Sequence, residues 1–198
     1  MKIDLHVHTK ERSGCARASA EEQIQAAIAA GLDALVFTDH ARLAPPDRLR
    51  AWNVRFAPFR IFGGIEITVD AEDLLVLGVQ DSALERTEWT YPALHAFVRE
   101  AGGFIALAHP FRYWHQVGVD LDSFPPDAIE IYTPNTPRSA ETQIRALAAC
   151  LNLPLLSNSD AHTTRPLGKH YNRIDRPVPD EGELIIQLKA GRYSLYAG

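Results

Sequence analysis

Histidines and carboxylates recur in five short stretches: "DLHVHT" (4–9), "FTDH" (37–40), "GGIEIT" (63–68), "LAHPFR" (107–112) and "SNSDAH" (157–162). They supply His6, His8, Asp39, His40, Glu66, His109, Asp160 and His162, with Arg112 just past the fourth stretch. Imidazole nitrogens and carboxylate oxygens together suit Zn, Mn or Fe, and no thiolate is needed. A solvated strand face would explain "DLHVHT" taken alone, because histidine has many roles. A metal-free acid/base site is the other reading of the whole set, but it does not call for so many histidines. Buried acids and histidines are costly unless they are paired or hold a cation.

Each stretch lies in or just after a short apolar run. The runs cover residues 2–7, 34–38, 59–67, 74–79, 104–108, 128–132 and 153–157. Strand side chains alternate between faces. Ile3, Leu5 and Val7 are therefore expected on one face, and Asp4, His6 and His8 on the other. Helical patterns fall at 19–30, 91–101, 138–151 and 181–190. Ser19 and Glu22 have capping-box spacing, and Gly31 is a stop signal. Thr90 is the expected cap of the second helix. Strands alternating with helices predict a mostly parallel sheet. Seven such strands in one small domain predict an α/β barrel that is closed or nearly so. Functional side chains of a barrel gather where strands end and loops begin, so the five stretches would converge on one rim.

The 198 residues are enough for one domain with a substantial core, and 46% are hydrophobic. The whole chain, 1–198, is expected to be that single domain. No apolar run reaches the length of a membrane span, so no membrane association is expected. No signal-peptide pattern is visible, and Cys15 and Cys150 do not make a disulfide framework. A cytoplasmic protein is the expectation. The formal charge of −5 argues against an extended duplex-DNA surface, but leaves room for a small phosphorylated substrate or a strand end.

The order HxH, TDH, a lone Glu, AHP and SDAH closely resembles the PHP (polymerase and histidinol phosphatase) family, from residue 4 to about residue 162. "IEIY" followed by Asn135, and the helix before "LPLLSNSDAH", look like the short stand-alone members. The resemblance implies a distorted seven-stranded (β/α)7 TIM-like barrel, one to three divalent metal ions (Zn, Mn or Fe), and hydrolysis of phosphate esters. Carried over by motif, His6, His8, Glu66 and Asp160 would bind a first metal. Glu66 would bridge to a second, with His109, and His40 and His162 would hold a third. Adjacent divalent ions can polarise a phosphoryl oxygen and activate a water, so no protein nucleophile is required. Arg112 is expected to clamp phosphate oxygens through its planar fork, with Lys10 and Arg12 adding positive charge. For Arg112, packing on Tyr113 or Trp114 is the competing reading.

The chain also departs from the family pattern. Leu75 stands where many members with a full second site carry a histidine. The first loop, "KERSGCA", offers only Glu11, Ser13 or Cys15. The expected function is a phosphoesterase acting on a small phosphomonoester or a nucleotide. The alternatives are a nuclease trimming single-stranded or flapped ends, and a degenerate barrel acting as a metal-binding regulatory module. Asp4 and Asp39 are expected to orient neighbouring histidines rather than bind metal. His95, His115 and His170 are expected at solvated or packing positions, the basic residues of 42–60 on a solvated surface or a substrate-side loop, and Cys150 in the core.

Overall fold

The computed structural model describes residues 1–86 and 88–198. In chain order it forms β1 (Lys2–Val7), α1 (Ala20–Ala29), β2 (Ala34–Phe37), α2 (Pro46–Arg55), β3 (Arg60–Val69), β4 (Glu72–Leu77), α3 (Tyr91–Glu100) and β5 (Phe104–Leu107). There follow β6 (Ala128–Tyr132), α4 (Glu141–Leu151), β7 (Leu155–Ser157), β8 (His170–Ile174), α5 (Glu181–Lys189) and β9 (Tyr193–Ala197). Helix α1 starts at the expected capping box, in which the Ser19 hydroxyl accepts from Glu22 N–H and the Glu22 carboxylate accepts from Ser19 N–H. It ends before Gly31, whose φ of 76° suits the left-handed stop that glycine tolerates best. Thr90 stands at the N-cap of α3, but its side chain makes no capping bond.

The strands form one sheet in the order β7-β6-β5-β4-β3-β2-β1-β8-β9. Strand β4 is antiparallel to both neighbours, and β1–β2–β3 and β5–β6–β7 are parallel runs on either side of it. The two ends of the wall meet where the chain after β7 runs beside β1. Val7 bridges Ala161, His8 N–H donates to the Ala161 carbonyl at 3.0 Å, and Ala161 N–H donates to the His6 carbonyl at 3.2 Å. The result is a nearly closed barrel.

Among the described residues, nine strands stand in place of the expected seven. All seven expected runs are strands, and the additions are β8 and β9, which pair antiparallel beside β1. Their sequences, "HYNRI" and "YSLYA", are rich in polar residues and bury fully only Asn172 and Ile174, so the apolar signal is weak. Helix α2 is also additional; it buries Trp52 against Phe37 and turns its basic residues outward.

The expected strict alternation in β1 is corrected by an irregularity in register between Asp4 and Val7. Ile3 and Leu5 pack with Ala34, Val36, Phe62 and Leu75, whereas Val7 packs with Ile24, Leu35 and Phe37 under α1. A bulge shifts the facing of later residues relative to earlier ones. Leu184, Ile185 and Leu188 of α5 join the first of these two groups and close the end of the barrel opposite the His- and Asp-rich loops. Cys150 is exposed, not in the core, because α4 buries the stripe through Ile144 and Ala148 and Cys150 lies on another face.

Candidate metal centre

The expected rim residues come together. The Nε2 atoms of His6 and His8 are 3.0 Å apart. His6 Nε2 is 3.3 Å from Glu66 Oε1 and 3.4 Å from Asp160 Oδ1. His8 Nε2 is 3.2 Å from Glu66 Oε2 and 3.2 Å from Asp160 Oδ1. Ligands about 2.0–2.1 Å from one tetrahedral ion lie ~3.3 Å from each other. The two imidazoles have this spacing from each other and from both carboxylates, and all four residues are buried, as donors to a metal ion would be. Two imidazole lone pairs at 3.0 Å repel unless a proton or a cation lies between them. Glu66 Oε2 is fully buried and makes no well-aligned hydrogen bond, although the ring nitrogens of His8 and His40 lie 3.2 and 3.0 Å away, an arrangement that suits a shared cation.

More donors surround this set. His109 Nε2 lies 3.3 Å from Glu66 Oε1, 3.9 Å from Asp73 Oδ2 and 4.0 Å from Asp160 Oδ2. His40 Nδ1 is 3.0 Å from Glu66 Oε2, and His162 Nδ1 is 3.3 Å from Asp160 Oδ1. The rings of His8, His40 and His162 form a triangle, with centroids 4.6 Å (His8–His40), 4.3 Å (His8–His162) and 6.1 Å (His40–His162) apart. Among the described residues, ligand atoms close enough to share an ion occur in four combinations: His6–His8–Glu66, His6–His109–Asp160, Glu66–Asp73–His109 and His8–His40–His162. Cys15 belongs to none of them. His109 and Asp160 have φ of 27° and 46°, left-handed backbone that costs ~1–3 kcal/mol in a non-glycine residue and concentrates at functional sites.

Asp73 is a residue that sequence reasoning missed. Barrel logic looks after strand ends, but β4 runs antiparallel, so its beginning lies on the rim. Asp73 shares a strand face with Leu75, which is buried opposite Glu66. The Thr68 hydroxyl donates to Asp73 Oδ1 at 2.5 Å and positions the carboxylate.

Glu130 was missed as well. Its Oε1 lies 3.1 Å from His6 Nδ1 and accepts from Asn158 Nδ2 at 2.7 Å, and its Oε2 accepts from His109 N–H at 3.0 Å. A proton held on Nδ1 by this carboxylate leaves the Nε2 lone pair of His6 facing the centre. The signal was a lone acid in the apolar run "AIEIY", as with Glu66 in "GGIEIT". Asp39 acts through Ser13: the Ser13 hydroxyl donates to Asp39 Oδ1 at 2.7 Å and lies 3.3 Å from His8 Nδ1. Asp4 accepts from His6 N–H at 3.2 Å and from Ser159 N–H at 3.1 Å.

Electrostatics divides these groups. Burial disfavours a charged His6, but Glu66, Asp160 and Glu130 outweigh it and hold the imidazole well above its usual range. Burial pulls His8 down to about 4, leaving it neutral and able to donate a lone pair at neutral pH. Burial opposes ionised Glu66 and Asp160, yet the surrounding histidines hold both carboxyls low. Burial pushes Asp4 up to about 7 and also raises Asp39.

Arg112 reaches the rim carboxylate Asp160 and also packs on Tyr113. Its Nη1 donates to Asp160 Oδ2 at 3.2 Å, and its guanidinium lies 5.0 Å from the centre of the Tyr113 ring. Asn135 Nδ2 donates to the same Asp160 oxygen at 2.7 Å. Lys10 and Arg12 are not brought to the donors. Lys10 Nζ is 3.9 Å from Glu22, and Arg12 Nη2 is 3.6 Å from Glu85. His95 is half-buried with its Nε2 3.0 Å from the Pro125 carbonyl oxygen, and His170, expected in a loop, begins β8 half-buried.

Comparison with known proteins gives a consistent likeness. The model of the PHP domain matches residues 4–110, and that of the PHP-associated region matches residues 138–193. No curated protein matches. Among solved structures, PsfC from Pseudomonas syringae PB-5123 superposes with a TM-score of 0.71 at 20% identity, covering 100% of this chain and 91% of that one. A Bacteroides vulgatus two-domain protein, described as containing a predicted PHP-like metal-dependent phosphoesterase, gives 0.70 at 14% identity. This chain is fully covered in that match but spans 64% of the two-domain protein. An amidohydrolase from Chromobacterium violaceum, with sulfate bound and no metal, gives 0.66 at 16% identity over 98% of both chains. These structural likenesses establish a shared fold.

Proposed function

The chain belongs to the PHP family, and from that premise we propose that it is a metal-dependent phosphoesterase hydrolysing a small phosphomonoester or a nucleotide. The observation that carries this reading is the set of four buried donors, His6, His8, Glu66 and Asp160, spaced 3.0–3.4 Å apart along every contact given above. Zn, Mn or Fe at these donors would supply Lewis-acid polarisation of a phosphoryl oxygen and a water activated at neutral pH.

His6, His8, Glu66 and Asp160 hold the first ion. Glu66, His109 and Asp73 hold the second, with Asp73 supplying an oxygen on the strand where Leu75 supplies none. His40 and His162, beside His8, hold the third. Glu130 and Asp39 fix ring orientation through His6 and Ser13. Arg112 contacts Asp160 through one Nη and directs its remaining donors to phosphate oxygens, which gain charge as the ester bond breaks. The complete first donor set supports an enzyme over a degenerate regulatory barrel.

Incubating the protein with a panel of phosphomonoesters, before and after chelation and reloading with Mn, Zn or Fe, tests the proposal. Inorganic phosphate should appear only with metal present, for at least one substrate. Equal release by demonstrably metal-free protein, or none from any panel member with metal restored, would defeat it.

A further inference from the structure

The loop after Arg112 exposes two aromatic side chains in succession. Tyr113 is 66% and Trp114 62% exposed. Single exposed aromatics are ordinary. Here, however, Trp114 lines a cavity of ≈ 430 Å³ together with Asp70, Glu72, His115 and Val117. That cavity adjoins the candidate centre: Ala71, Glu72 and Trp114 also line a narrow crevice whose other walls include Asp73, His109, Arg112 and Tyr113. The cavity wall is built, because Glu72 is buried and its Oε1 accepts from Gly118 N–H at 3.0 Å, tying the 70–72 turn to the 117–118 loop.

A phosphate held at the cluster and by Arg112 would therefore lie next to a cavity lined by the Trp114 indole and by two carboxylates, Asp70 and Glu72. Indole stacks on planar bases, and carboxylates accept hydrogen bonds from ribose hydroxyls and exocyclic amines. The same carboxylates repel additional phosphates. We propose that Trp114, with Tyr113 and Glu72, forms a nucleoside subsite, and that the substrate is a nucleoside monophosphate bearing its single phosphate at the metal centre. This rests on the phosphoesterase reading. In the reaction the phosphorus–oxygen bond to the ribose breaks, water oxygen bonds to phosphorus, and a water proton ends on the ribose oxygen. Tyr113 sits under Arg112, so it fixes the guanidinium as well as widening the aromatic wall.

Two readouts on the metal-loaded full chain test the subsite. The first is calorimetric titration with adenosine, which cannot be hydrolysed, against ribose. Adenosine should bind to the wild type and lose roughly tenfold or more in affinity in Trp114→Ala, with Trp114→Phe recovering most of it. The second is kcat/KM for adenosine 5′-monophosphate relative to ribose 5-phosphate. That ratio should exceed about ten in the wild type and fall by roughly the same factor in Trp114→Ala. Adenosine binding no better than ribose, or an unchanged ratio in Trp114→Ala, would overturn the subsite. Preference for an oligonucleotide end over the mononucleotide would overturn the monophosphate assignment. Adenosine binding that depends on Trp114, with no turnover of either phosphate, would uphold the subsite and defeat the phosphoesterase reading alone.

Discussion

Asp4 is fully buried, accepts two backbone N–H bonds through Oδ1 and leaves Oδ2 without a partner. Burial raises its pKa from 3.8 to about 7, so the folded protein keeps a proton that the unfolded chain has released. That contribution to stability is complete below the unfolded value and is lost as pH rises towards the folded one. Asp4→Asn removes the titration while keeping the accepting oxygen. In chelator-treated protein, the stability of Asp4→Asn relative to wild type should therefore increase from pH 4 to pH 7 and level off above, by roughly 4 kcal/mol at most. Denaturation midpoints across that range check it, and a pH-independent difference would show that Asp4 ionises normally. Arg112→Ala should lose on the order of a hundredfold in kcat/KM on the identified substrate, comparable to losing one preorganised donor, and Arg112→Lys should recover only part. Wild-type turnover by Arg112→Ala with unchanged KM would remove the phosphate role.

The strand ends carried most of what could be read from the sequence. His6, His8, His40, Glu66, His109, Asp160 and His162 all lie in or next to apolar runs long enough to be recognised, and all of them converge. Asp73 escaped because strand direction is a tertiary property: nothing in "EDLLVLGV" states that β4 runs against its neighbours. Asp73→Asn should lower the amount of metal bound beyond the first ion per chain without displacing that first ion, and titration calorimetry with Mn distinguishes the two. An unaltered second binding event would exclude Asp73 as a ligand. Strands β8 and β9 escaped because their stabilisation is largely polar. Asn172 accepts from Ser157 N–H at 3.1 Å and donates to the Ser157 carbonyl and to Asn158 Oδ1, each at 2.8 Å. One buried amide thus ties β8 to β7, next to the Asn158 that holds Glu130. Asn172→Leu should cost ~2–4 kcal/mol, because it strands several buried polar groups. Thermal unfolding reads this as a clear drop, and an unchanged midpoint would mean that water satisfies them.

Across the whole molecule, the barrel separates its two ends. Helix α5 fills one with Leu184, Ile185 and Leu188, and the loops of the other carry the donors. Packing so many buried acids and histidines together is unfavourable without a cation, and the fold accepts it at the rim, where bulged and left-handed backbone also collect. The cavity lined by Trp114 opens beside that rim, so on the proposed reading a substrate's organic group would lie apart from the metal donors. The most direct test of this arrangement is the metal content per chain of wild type and His8→Ala, purified without chelator and measured by inductively coupled plasma mass spectrometry. Wild type should carry at least one Zn, Mn or Fe per chain, and His8→Ala should lose it while remaining folded by circular dichroism. A metal-free wild type, or equal metal in His8→Ala, would contradict the metal centre.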